Sequence, residues 1–199
     1  MWQIFDGRVE ISPAFFLLSG WFGLANGWEL LGTVMLAAGV HEAGHCLVLL
    51  WNGADIRKLR IGVLGAVLET DSGELSYGAE FLAVLAGPAA NLAAAAVLAL
   101  LEHPPVVGIG VHLVLAAFNL LPLYPLDGGR ALELMIAWAA GPAAGARAVR
   151  WCTVATAAGV CAAAVGVMWS TGGSLWLLPA AAGAAGYGAA ELRQRHFVK

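Results

Sequence analysis

The sequence predicts an all-α membrane protein, a polytopic bundle of about six transmembrane helices with short β-hairpins at the cytoplasmic membrane surface. Three observations carry that expectation. The 199 residues are 60% hydrophobic and 12% charged, with mean hydropathy +0.79, against roughly 45–50% apolar and about 25% charged in soluble domains. Apolar runs near the length of a spanning helix recur along the chain. Once those runs are threaded, every basic residue falls on one side. Ten Lys+Arg against thirteen Asp+Glu leave no basic stripe, which argues against a nucleic-acid partner.

At the N-terminus, Asp6-Gly7 stands between two short β-prone arms, a hairpin signal. A signal peptide is the competing reading, but Arg8 is flanked by Asp6 and Glu10 and no compelling cleavage site follows. Ser12-Pro13 then starts a short helix over 13–25. The second span covers 28–51. After it, residues 56–70 are too charged at their start to span, are rich in Val, Ile and Leu, and close on Asp71-Ser72-Gly73, so they read as strands at the membrane surface. Their free edge, around Arg60–Leu68, could accept an extended peptide, unless they form a plain surface hairpin. Spans follow at 78–101, 105–121, 151–169 and 174–190. The last two are Ala- and Gly-rich, a composition that favours close helix packing, and read as scaffold. No linker divides the chain, so residues 1–199 form one expected domain.

Threaded with the N-terminus inside, the six spans put Arg8, Arg57, Lys58, Arg60, Arg130, Arg147, Arg150, Arg193, Arg195 and Lys199 on one face. The positive-inside rule then gives a multi-pass protein with both termini in the cytoplasm. The tryptophans mostly fall near span ends, as an aromatic belt requires. Cys46, Cys152 and Cys161 show no paired CxxC spacing and point to neither a disulfide framework nor a thiolate metal site.

Inside the second span stands His41-Glu42-Ala43-Gly44-His45. An acid in a span costs about 2.5–3.5 kcal/mol on insertion scales, so this cluster needs a compensating role. Helical residues four apart share a face, so His41 and His45 can turn toward one zinc ion while Glu42 handles protons. This is the layout of a zinc-dependent peptidase. Such a site needs a third protein ligand. Asp127 is one candidate, in a stretch where Pro122, Pro125, Gly128 and Gly129 break the helix. His112 is the rival, with a histidine hydrogen-bonded between helices as its plainer reading. For Asn91 and Pro88, a kinked, hydrogen-bonded third span is sufficient explanation.

HEAGH at 41–45 together with NLLPLYPLDGG at 119–129 resembles the site-two proteases, the intramembrane zinc metalloproteases, and Gly87-Pro88-Ala89-Ala90-Asn91 is similar to a further motif of that family. The resemblance covers about residues 1–140. It implies a catalytic core over about 28–140, one Zn2+ held by His41, His45 and Asp127, Glu42 as general base, and Asn119 binding or orienting the substrate backbone. It also implies a membrane-associated or transmembrane protein as substrate, and membrane regulatory proteins as possible partners. The outer loop around Glu102-His103-Pro104-Pro105 is too short for the PDZ domain that some relatives carry, and only about nine residues follow the sixth span, so neither a PDZ nor a CBS domain is expected. Among such minimal members the chain resembles the stage IV sporulation protein FB group, which implies a bacterial cytoplasmic membrane and, as one substrate, a sigma-factor precursor. A zinc-binding transporter or non-proteolytic regulator is the alternative. Against it stand the adjacent Glu42, the need of structural zinc sites for four protein ligands, and a single broken helix where transporters often pair two.

Overall fold

In a computed structural model, residues 2–4, 9–62, 65–71, 75–170 and 185–186 are described. They fall into two compact units, Met1–Phe118 and Asn119–Lys199.

In the first unit, β1 (Trp2–Ile4) and β2 (Val9–Ile11) pair antiparallel, Trp2 opposite Ile11. The Asp6-Gly7 turn itself lies outside the described residues. The segment after the second helix gives β3 (Asp55–Gly62) and β4 (Gly65–Asp71), also antiparallel, with an irregularity between Ile56 and Lys58. Local sequence does not reveal that the two hairpins join. β2 runs parallel to β3, Val9 opposite Leu59 and Ile11 opposite Ile61, making one sheet of order β1-β2-β3-β4. The buried Glu10 carboxylate binds this seam, 2.6 Å from Lys58 Nζ and 3.1 Å from Arg60 Nε. A buried acid is tolerable only when paired in this way. One expectation is corrected here. β3 has a neighbour on both sides, so the free edge placed at Arg60–Leu68 belongs to β4 alone, from Gly65 onward.

Ser12 caps α1 (Pro13–Asn26) by accepting from the Ala14 N–H, and Gly27, at φ +96°, ends it. α2 (Trp28–Trp51) follows directly. Its 24 residues reach about 36 Å at 1.5 Å per residue, enough for a bilayer core of about 30 Å. The Ser76 hydroxyl caps α3 (Tyr77–Ala99) by accepting from the Ala79 N–H, and α4 (Val106–Asn119) completes the unit. α2 and α3 pack closely because position 44 is glycine. A methyl there would press on the Ala86 carbonyl and the Ala90 side chain.

The second unit pairs α5 (Asp127–Ala140) with α6 (Pro142–Ser170) across Gly141, at φ +89°. The six-span expectation placed no helix at α5 and started the fifth span near residue 151. Arg130 and Glu133 make α5 too polar to read as a span, and Arg147 and Arg150 hide the first turns of α6 in the same way. The span expected at 174–190 lies outside the described residues except for Ala185 and Gly186.

The chain is therefore mostly helical, with six helices among the described residues. Three of them, α2, α3 and α6, are long and apolar enough to cross a membrane, and α4 is a shorter apolar helix. Leu36, Leu47, Leu50, Val114 and Trp169 face outward. Apolar surface on that scale calls for lipid rather than water.

Candidate metal centre

α2 sets His41 and His45 one turn apart, and their Nε2 atoms lie 3.1 Å from each other. Zinc–nitrogen bonds of about 2.0–2.1 Å in tetrahedral geometry place two ligand nitrogens roughly 3.3 Å apart. The pair therefore fits one shared ion. His45 Nδ1 lies 2.8 Å from the Ala83 carbonyl and donates to it, which leaves His45 Nε2 with the lone pair that a ligand must offer. His41 is buried, and its Nδ1 lies 3.2 Å from the Asn91 amide nitrogen. Asn91 is wholly buried on α3, and its Oδ1 is 2.9 Å from His112 Nδ1 on α4. His112 is thus the hydrogen-bonded histidine of its plainer reading. Glu42 is half-buried on α2 directly after His41.

α3 closes one side of the pair with backbone. A methyl at Gly87 would overlap Nε2 of both His45 and His41. The glycine keeps that volume open.

In the second unit, Asn119 ends α4 and Asp127 opens α5. Asp127 is 9% exposed and stands in the first turn of α5. The segment between them is held to α6. The Tyr124 N–H donates to Thr153 Oγ1 at 2.8 Å, and Thr156 Oγ1 donates to the Pro122 carbonyl at 3.5 Å. Leu123 and Ala157 are buried beside these contacts, packed on by Leu121, Leu126, Val160 and Cys161. The Tyr124–Pro125 peptide bond is cis. Gly128 tucks against the Leu120 and Leu121 carbonyls, where a methyl would overlap.

Sequence reasoning passed over Thr153 and Thr156, treating their helix as scaffold. The available signal was two hydroxyls, three residues apart and so on one face, in a run otherwise built of Ala, Val and Gly. Asn91 and Gly87 were noticed as part of a motif, but their position against the histidines needed the packing of α2 on α3.

No family model matches the sequence. Among curated proteins, the chain is 28% identical over 162 residues to a Synechocystis protein bearing a zinc-metalloprotease name, covering 67% of this chain and 43% of that one. It is 29% identical over 124 residues to a zinc metalloprotease of Methanocaldococcus jannaschii, covering 55% and 35%. It is 24% identical over 136 residues to stage IV sporulation protein FB of Bacillus subtilis, covering 64% and 47%. The chain spans less than half the length of these relatives. Among solved structures, the site-2 protease of M. jannaschii superposes with TM-score 0.66 over 94% of both chains at 20% identity. The chain is similar in sequence to zinc metalloproteases and has the fold of the site-2 protease. The sporulation protein is one of several relatives and is not singled out by identity.

Proposed function

We propose that the chain is an intramembrane zinc metalloendopeptidase, cleaving a peptide bond within or next to a membrane segment of a protein substrate. The observation that carries this reading is the His41–His45 pair, with Nε2 atoms 3.1 Å apart inside a candidate span and an acid beside it. Asp127 is the proposed third ligand, the role that the family resemblance gives it. Zinc held by these residues would supply a water of lowered pKa and a polarised scissile carbonyl. Glu42 is the proposed general base, the group that would take up a proton and return it to the leaving amine. Asn119 orients the substrate backbone. The reading places the sheet and both termini at the cytoplasmic face, in keeping with the one-sided basic residues.

Wild-type protein purified in detergent is expected to hold about one zinc per chain. His41→Ala and Asp127→Ala are expected to lose it. Zinc retained at the wild-type level in Asp127→Ala would remove that residue from the ligand set, and a well-folded wild type without zinc would end the reading altogether.

A helical substrate hides its scissile carbonyl in backbone hydrogen bonds, so it must be drawn out into extended form. The outer edge of β4 is the proposed partner for that strand. Prolines at β4 positions whose N–H groups face outward are expected to raise the KM for a membrane-segment substrate severalfold with zinc content unchanged. Unaltered KM would discard the pairing.

A further inference from the structure

The buried hydrogen bonds around His41 run in one direction. His112 Nδ1–H donates to Asn91 Oδ1 at 2.9 Å, and the Asn91 amide nitrogen donates to His41 Nδ1 at 3.2 Å. With its Nδ1 accepting, neutral His41 carries its proton on Nε2, 3.1 Å from the acceptor His45 Nε2. His45 Nδ1–H ends the line on the Ala83 carbonyl. A neutral imidazole has one donor nitrogen and one acceptor, so each link dictates the next.

A cation shared by the two Nε2 atoms is compatible with only half of this line. His45 already offers its Nε2 lone pair. His41 can do so only with its proton on Nδ1, and that N–H then needs an acceptor. A half-turn of the Asn91 carboxamide supplies it, bringing Oδ1 to His41 and the NH₂ group to His112. His112 Nδ1 must then accept, with the proton on its Nε2. The exposures of Asn91, His41 and His112 are 0%, 5% and 7%, so an unmatched link would carry the desolvation cost of a buried polar group.

We propose that Asn91 and His112 are positioning residues for the metal, a two-residue relay whose direction reverses when His41 becomes a ligand. This rests on the reading of His41 and His45 as metal ligands. Partners of this kind, which receive the second N–H of a ligating histidine, typically change metal affinity by 10–100-fold when removed.

The test is competition for zinc between a chelator and the full chain in detergent, comparing wild type with N91L, N91D, H112L and H112Q, alongside thermal stability in excess chelator. N91L is expected to weaken zinc binding 10–100-fold, while N91D, whose carboxylate accepts from His41 Nδ1–H in either orientation, stays within about tenfold of wild type. H112Q, which both donates and accepts, is expected to follow wild type, and H112L to fall between wild type and N91L. A role in packing alone predicts the opposite order at position 91, because a buried carboxylate is worse tolerated there than a leucine. N91D binding zinc more weakly than N91L, or N91L matching wild type, overturns the relay. If N91D does not fold, equal affinities of H112Q and H112L do so. A wild type that binds no zinc overturns the metal site and the relay together, whereas zinc bound equally by wild type and all four variants overturns the relay alone.

Discussion

Glu42→Gln is expected to retain zinc at the wild-type level while lowering cleavage of a membrane-segment substrate by about 10²–10⁴-fold, the range lost with a general acid–base group. Glu42 follows His41 on α2, and successive helical residues point about 100° apart, so it flanks the histidine face without lying on it. The proposed ligands are His41, His45 and Asp127, and Glu42 is not among them. Glutamine keeps the shape and polarity of the side chain but cannot take up a proton near neutral pH. Metal content and single-turnover cleavage, measured on the same preparation, separate the roles. Loss of zinc together with cleavage would make Glu42 a ligand, and cleavage at the wild-type rate would make it a bystander.

Gly87→Ala is expected to abolish zinc retention, a large effect from a single methyl. The added carbon would stand against Nε2 of both His41 and His45, the two atoms that must face the ion. It cannot rotate away, because its position is fixed by the α3 backbone. Gly78→Ala is the matched control, since nothing lies within 4 Å of the carbon it would add and alanine is the better helix former. Metal analysis of the two variants should give a protein without zinc and a protein at the wild-type level. Zinc in both would mean that the histidines can withdraw from α3, and that the ion does not sit beside Gly87.

Much of the first unit was legible because it rests on local geometry. Two histidines four residues apart share a helix face whatever surrounds them, and Ser12-Pro13 marks a helix start by chemistry that acts within one turn. What escaped depends on partners distant in sequence. Asn91 lies 50 residues from His41 and 21 from His112, and nothing in the spacing announces that three helices converge there. The parallel pairing of β2 with β3 is of the same kind, and it leaves the free edge to β4 alone. Residues 127–150 failed for a different reason. Hydropathy detects the helices that lipid surrounds, and the charges of α5 and of the first turns of α6 conceal helices whose job is to carry the Asn119–Asp127 segment. The two threonines of α6 that hold that segment, Thr153 and Thr156, are visible only once α6 is packed beneath it.

The seam between β2 and β3 also bears on how the chain enters the membrane. These strands flank α1 and α2, one just before the first helix and one just after the second, yet they lie side by side in one sheet. A chain that leaves the sheet and rejoins it must return to the face from which it departed, whatever the lengths of the two helices between. The N-terminal strand is made first and can find its neighbour only after α2 has emerged. Until then Glu10 has neither Lys58 nor Arg60 beside it. A chain threaded with the wrong parity would leave that acid on one face and its two cations on the other, and the sheet could not close.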